Sequence, residues 1–179
     1  MYEIIILAVA LSIDAMIVSF SQGLIFKNNR LKLALTLAFY FGLFQALMPL
    51  IGAFMTGVVI DYIQGLSKWI VFIVFTSLGI KFIFEALKNK QEEHLKELSI
   101  SCILAFSIST SIDALFAGVP LRLMNINLIL PLFLIGIVTF SNSLLGFKLS
   151  SALKTLNSKY IQIFGALLLI ALGVKELIF

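Results

Sequence analysis

The sequence contains little charge, one cysteine and one histidine. Only 12% of its 179 residues are Asp, Glu, Lys or Arg, whereas soluble domains have about 25%, so a soluble globular domain is excluded. Cys102 alone cannot form a disulfide within the chain, and with His94 as the one histidine a cysteine–histidine zinc site is not expected. The bases behind the net charge of +4 are scattered, so no nucleic-acid partner is predicted.

Long apolar runs predict an all-α, polytopic membrane protein. Hydrophobic residues make up 61% of the chain, and the mean hydropathy is +1.12. The runs continue over about 20 residues, as membrane-spanning helices do, whereas barrel strands alternate over about 10. Bases follow the first run rather than precede it, so we predict a retained helix and not a signal peptide. Six transmembrane helices are predicted, at residues 4–26, 33–57, 67–88, 99–121, 127–147 and 160–178.

The distribution of bases predicts the orientation in the bilayer. Ten Lys or Arg residues fall in or beside the first, third and fifth connections, and three fall on the other side. Positive charge concentrates on the cytoplasmic side, so both termini are predicted to lie outside the cytoplasm. The ten are Lys27, Arg30, Lys32, Lys81, Lys88, Lys90, Lys96, Lys148, Lys154 and Lys159, and the three are Lys68, Arg122 and Lys175.

Three sequence features recur in the same order in the two halves of the chain. They are Ser-Ile-Asp-Ala at 12–15 and 111–114, a glycine pair ten residues apart at 42/52 and 136/146, and Leu-Gly-(Ile/Val)-Lys at 78–81 and 172–175. Each half holds three predicted helices, an odd number, so the second half would enter the bilayer from the opposite side as an inverted repeat. Within a single membrane domain, we predict a first repeat at 1–90, a charged cytoplasmic hinge at 91–98 and a second repeat at 99–179.

The repeated tetrapeptide puts one aspartate, Asp14 or Asp113, into an apolar run of each half. An ionised Asp at the centre of a membrane helix costs about 2.5 to 3.5 kcal/mol or more, so two in matched surroundings indicate a function. They lie about 10 and about 14 residues into their helices, which at 1.5 Å per residue is near the middle of the bilayer. Substrate sites of inverted-repeat proteins lie where the repeats meet. We therefore predict one cation site between the two aspartates.

Neutral oxygen donors on the same helices are candidates to complete this site. Oxygen ligands suit Mg²⁺, Ca²⁺ or Mn²⁺ and disfavour copper or zinc. The supporting candidates are Ser109, Gln45, Thr139 and Asn142. Each has a structural alternative, since membrane hydroxyls usually bond their own backbone and an intramembrane Asp can simply pair with a base. The other expectations are structural: close packing at the glycines and lipid contact for the 17 phenylalanines. Interfacial anchoring is expected for Lys81 and Lys175, and the alternative is that they form gate ion pairs with Glu85 and Glu176.

These motifs resemble those of the bacterial manganese efflux pumps, the MntP family. The similarity covers the whole chain, and its motifs are the two Ser-Ile-Asp-Ala tetrapeptides, Phe41-Gly42 with Gln45 and Pro49-Leu50-Ile51-Gly52, and Gly136, Thr139, Ser143 and Gly146. The resemblance implies a multi-pass exporter of the bacterial inner membrane that lowers cytoplasmic Mn²⁺. It implies that Asp14 and Asp113 carry the ion beside Gln45, that Mn²⁺ is substrate rather than cofactor, and that access alternates between the two sides. Pro120 departs from the family pattern and predicts that helix four ends one turn early.

Three other functions are compatible with two membrane aspartates. An intramembrane aspartyl protease would be expected to carry a Gly-x-Gly-Asp motif, which neither site has, so no enzymatic activity is predicted. A membrane organiser that uses the aspartates for assembly would tolerate Asp→Asn, and the pattern is compatible with a homo-oligomer. The alternative within transport is a secondary transporter of another divalent cation or small solute.

Overall fold

The computed structural model describes residues 2–26, 30–55, 69, 72–84, 87, 98–123, 127–153 and 158–178. These residues contain helices and no strand, which confirms the all-α prediction. A 3₁₀ turn, Ser150–Leu153, follows the sixth helix. The helices are α1 (Tyr2–Ile25), α2 (Arg30–Phe54), α3 (Phe72–Phe84), α4 (Ile100–Thr110), α5 (Ile112–Leu123), α6 (Ile129–Leu149) and α7 (Ser158–Ile178).

Three stretches in the described ranges are long and apolar enough to cross a membrane, namely Ile4–Ile25, Arg30–Phe54 and Ile129–Ala152. A fourth is added if α4 and α5 form one bent span. The apolar parts described for α3 and α7 are shorter, at Phe72–Phe84 and Ile163–Lys175. The chain is thus a multi-pass membrane protein, and six spans stay a prediction. The predicted hinge at 91–98 lies outside the described residues, except for Leu98.

The outer surface of the bundle is apolar. Along α2, exposed hydrophobic residues recur every four positions at Leu35, Phe39, Leu43, Leu47 and Ile51. This spacing keeps them on one side of the helix. Such a continuous apolar stripe is unfavourable in water and suits contact with lipid tails.

Several phenylalanines fill the interior instead, so the prediction that they all face lipid is wrong. Phe41, Phe75, Phe82, Phe106 and Phe147 are each at most 4% exposed. The Phe75 and Phe106 rings stack with their centroids 6.0 Å apart, which joins α3 to α4. Large rings occupy the space between helices that smaller side chains would leave empty.

The helix that carries Asp113 breaks just before it, and α4 and α5 meet at an angle of 41°. Three hydroxyls around the break donate to carbonyls of the preceding turn: Ser107 Oγ to Ile103, Thr110 Oγ1 to Phe106 and Ser111 Oγ to Ser107, at 2.8, 2.9 and 2.5 Å. Such bonds compete with the backbone ladder and bend helices.

Pro120 was predicted to end this helix, and that prediction is wrong. The helical backbone of α5 continues past residue 120 to Leu123. The interruption lies at Ser111 instead, where the amide bonds the carbonyl of Ile108 three residues back. The hydroxyl cluster rather than the proline therefore divides the helix.

Glycines allow close helix contacts, as predicted. A β-carbon on Gly42 would lie 2.9 Å from the Gly136 carbonyl oxygen, so α2 and α6 touch backbone to backbone. A β-carbon on Gly52 would collide with the Leu115 carbonyl of α5. These contacts leave no room for a side chain and fix the spacing of the helices that flank the aspartates.

The contacts also give the helix directions. Asn142 of α6 donates to Ser12 of α1, and one turn later in both helices Gly146 lies against the Met16 carbonyl, so α1 and α6 run parallel. Antiparallel packing joins α2 to α6, because Gly42 lies near Phe140 whereas Ala46, one turn later, lies near Gly136.

Candidate functional site

A cavity of about 210 Å³ lies among α1, α3, α4, α5 and α7. Both aspartates of the repeated tetrapeptide line it, although they are 99 residues apart in sequence. Its lining residues are Asp14, Phe75, Ser109, Thr110, Ile112, Asp113, Leu172 and Lys175. The fold thus brings the two predicted carboxylates to one cavity, and metal binding by them stays a prediction.

Asp14 sits in the middle of α1, and its side chain is 21% exposed. Its Oδ1 atom lies 3.1 Å from the Nζ atom of Lys175, which is 51% exposed. Lys175 therefore has a partner inside the protein, and its anchoring at a membrane face stays a prediction. Helix α7 runs antiparallel to α1, since Ser21 of α1 bonds Gly165 near the start of α7 and Asp14 meets Lys175 near its end. This direction carries the lysine back to the level of the aspartate.

Asp113 occupies the first turn of α5, directly after the break at Ser111. Its Oδ1 atom accepts a hydrogen bond from the amide of Ala114 at 2.8 Å. The free amides of a helix N-terminus carry partial positive charge and stabilise a nearby carboxylate by about 0.3 to 1 kcal/mol. The break therefore places the second carboxylate beside the amides at the start of α5.

Two hydroxyls supply further oxygen atoms. Ser109, one of the predicted candidates, lines the cavity and is 5% exposed. Thr110 lines it as well, and its Oγ1 atom donates to the Phe106 carbonyl at 2.9 Å. A hydroxyl that donates its proton to the backbone keeps its lone pairs, so it can still face a cation.

The other three candidates do not line the cavity. Gln45 is fully buried, and its Nε2 atom donates to the Leu11 carbonyl at 2.9 Å. Asn142 donates to Ser12 Oγ at 2.6 Å and thereby links α6 to α1. The Thr139 hydroxyl is buried with no hydrogen-bond partner in the described part of the chain, as is the Gln45 Oε1 atom. A ligand role for these residues stays a prediction.

The charge of the site favours a cation. Among the described residues that line the cavity, two carry a carboxylate and one carries an ammonium group. Across the described residues, no group of three or more His, Cys, Asp or Glu is close enough to hold a metal.

Comparison with known proteins identifies the family. The family model described as "Putative manganese efflux pump", Mntp, matches residues 28–177 of this chain. The chain belongs to the MntP family. A protein of Aliarcobacter butzleri (strain RM4018) named "Putative manganese efflux pump MntP" is 41% identical over 180 residues, which is 100% of both chains.

Further relatives carry the same name. One from Crocosphaera subtropica is 38% identical and aligns over 96% of this chain and 92% of its own length. One from Campylobacter jejuni (strain RM1221) is 39% identical and aligns over 99% of this chain and 95% of its own length. The MntP resemblance drawn from the motifs is thus confirmed over the full length. The MntP family is a family of efflux pumps and not a class of enzymes. No solved structure matches this chain.

Five of the eight described residues that line the cavity were not among the candidates drawn from the sequence. Of these, Phe75, Ile112 and Leu172 contribute an apolar wall. Lys175 belongs to the recurring Leu-Gly-(Ile/Val)-Lys feature, which was the one available signal. That feature marks the residue but does not give the register of α7 against α1, on which the contact with Asp14 depends.

Proposed function

We propose that this protein exports Mn²⁺ across the bacterial inner membrane and that Asp14 and Asp113 bind the ion in transit. The observation that carries the proposal is that both aspartates line one cavity, in a chain whose relatives are named manganese efflux pumps. The relatives' names supply the choice of manganese and the direction of transport. The cavity supplies a place for the ion.

The chemistry of the lining fits a hard divalent cation. Its donors are two carboxylates and the hydroxyls of Ser109 and Thr110, and its described lining includes no thiolate or imidazole. Carboxylate, carbonyl and water oxygens suit Mg²⁺, Ca²⁺ and Mn²⁺. A volume of 210 Å³ compares with about 30 Å³ for each molecule of liquid water, so a cation that keeps several waters fits.

Six membrane crossings are part of the proposal, and the helix directions support them. Helices that run parallel in a membrane must be separated along the chain by an odd number of crossings. Between the parallel α1 and α6 lie α2, α3 and the bent pair of α4 and α5. If only α2 and the bent pair crossed, α1 and α6 would be antiparallel, so a crossing by α3 as well accounts for their parallel direction. The antiparallel α1 and α7 require an even number of crossings between them, and these helices together with α6 make four.

An inverted repeat is supported by contacts that recur between matched positions. Gly52 lies against the Leu115 carbonyl, and its counterpart Gly146 lies against the carbonyl of Met16. Leu115 and Met16 each follow the aspartate of their half by two residues. The α3–α7 contact is also reciprocal, since Gly79 approaches the carbonyl of residue 166 and its counterpart at 173 approaches the carbonyl of residue 72. In such an arrangement one half can rock against the other and expose the central site to each side in turn.

The proposed topology has both termini outside the cytoplasm. We expect alkaline phosphatase fused to the C-terminus of the full chain to be active and green fluorescent protein fused there to be dark. The excess of bases in the first, third and fifth connections is the reason. A bright fluorescent fusion with inactive phosphatase would reverse the orientation.

The proposed substrate is tested in cells that lack their own manganese exporter. Under Mn²⁺ stress, cells that produce this protein should contain less manganese than cells with an empty vector, while zinc and copper contents stay equal. Elemental analysis of washed cells measures all three metals at once. Unchanged manganese with a lowered content of another divalent metal would favour the alternative substrate, and no change in any metal would remove the export proposal.

A further inference from the structure

One of the residues that line the cavity, Lys175, carries a positively charged ammonium group. The Nζ atom of Lys175 lies 3.1 Å from the Asp14 Oδ1 atom and donates a hydrogen bond to it. A hard metal ion bound to a carboxylate sits about 2.0 to 2.6 Å from its oxygen. An ammonium group and a metal ion would therefore compete for the lone pairs of the same carboxylate oxygen, and their like charges would repel.

We propose that Lys175 is a tethered counter-cation that holds Asp14 when the site carries no metal and that Mn²⁺ must displace it. The inference rests on the proposed function. Two observations favour a displaceable partner over a permanent one. The lysine is 51% exposed, so packing does not fix its ammonium group on Asp14, and lysine is a compact charge on a flexible stem.

The counter-cation has a role in the transport cycle. After the ion leaves, an exporter must return its empty site to the cytoplasmic side, and a bare carboxylate within the membrane is unfavourable. Lys175 neutralises Asp14 during that return and opposes rebinding of the released ion. The lysine therefore weakens binding of Mn²⁺ and speeds turnover.

The chain offers a matched control in Lys81. It holds the same place in the first occurrence of the recurring feature, Leu78-Gly79-Ile80-Lys81, as Lys175 holds in the second. Its side chain is exposed and does not line the cavity. A substitution at Lys81 removes the same charge from the corresponding helix end without touching Asp14.

The test measures Mn²⁺ affinity and transport for the full chain, purified in detergent and then placed in proteoliposomes. We expect Lys175→Gln to bind Mn²⁺ about fivefold more tightly, because the competing ion pair is lost, and to transport it more slowly at saturation. Lys175→Arg keeps the charge and should bind within about twofold of the wild type. Lys81→Gln should match the wild type in both measurements.

Opposite changes in affinity and turnover separate this role from a structural one, since a damaged fold would weaken binding and slow transport together. Lys175→Met removes the same charge and gives the same expectation if the Gln variant does not fold. Unchanged or weaker binding in the charge-removing variants would overturn the inference. When the wild type binds Mn²⁺ and Asp14→Asn does not, unchanged or weaker binding in the charge-removing Lys175 variants overturns the counter-cation alone. If the wild type binds none, the proposed function itself fails.

Discussion

Asp14→Asn and Asp113→Asn should each lower manganese export at least about tenfold. Asparagine keeps the size and one oxygen of the side chain but removes the charge that attracts a divalent cation. Replacing even an indirect partner of a metal ligand typically weakens binding 10- to 100-fold, so loss of a direct ligand should cost at least as much. The measurement is the manganese content of exporter-deficient cells under Mn²⁺ stress, at matched protein levels.

Thr36→Ala is the control for the aspartate variants. The Thr36 hydroxyl donates to the Lys32 carbonyl of its own helix at 2.8 Å and does not line the cavity, so export should stay near the wild-type level. The Asp14 variant also loses its ion pair with the half-exposed Lys175, which is worth at most about 1 kcal/mol, so the protein should still accumulate. Full export by both Asn variants would instead make the carboxylates structural.

Gly52→Ala should destabilise the protein by about 1 to 3 kcal/mol, the usual effect of overpacking. The added β-carbon would collide with the Leu115 carbonyl, which is backbone and cannot turn aside as a side chain can. Helices α2 and α5 would have to move apart, and Asp113, two residues before the contact, would move with α5. We therefore expect a lower midpoint of thermal unfolding in detergent together with reduced export.

Gly173→Ala is the matched control for this prediction. A β-carbon there would have its nearest neighbours at 3.2 to 3.3 Å, in the side chains of Phe75 and Thr76 and the carbonyl of Phe72. Small shifts of these neighbours can accommodate it, so its unfolding midpoint should fall by less than that of Gly52→Ala. Equal midpoints for the two variants would show that the α2–α5 contact is looser than described.

The aspartates and glycines could be predicted because each carries a signal in the sequence. Asp14 and Asp113 stand in two copies of the same tetrapeptide. A carboxylate is unfavourable in apolar surroundings however the helices pack, so both residues indicate a function. Gly52 and Gly146 recur at matched positions, and glycine in a membrane helix usually marks a close contact. The helical fold followed from apolar runs that leave the backbone no other partner in lipid.

The features that the sequence did not reveal depend on how separate helices are set against one another. Lys175 lies near the C-terminal end of its helix, and only the antiparallel register of α7 on α1 brings it to Asp14. The break at Ser111 arises from three hydroxyl-to-backbone bonds acting together. In the sequence alone, Pro120 is the stronger local signal for the end of a helix. Burial of Phe41 and Phe106 likewise depends on which side of each helix meets a neighbour.

The ion pair between Lys175 and Asp14 is compatible with both roles considered for the aspartates, the structural role and the metal-binding role. A base beside a membrane carboxylate is what a purely structural role predicts, and it is also what a metal site needs when it is empty. We propose the metal-binding role because Asp113 lines the same cavity from a different helix. A structural ion pair has no need of it.

Direct binding of Mn²⁺ to the purified protein tests most plainly that two carboxylates form one site. Electron paramagnetic resonance separates free from bound Mn²⁺ and gives the number of ions held by each chain. We predict one bound Mn²⁺ for each wild-type chain and a loss of binding when either Asp14 or Asp113 is replaced by Asn. Wild-type affinity in either single variant would contradict the shared site.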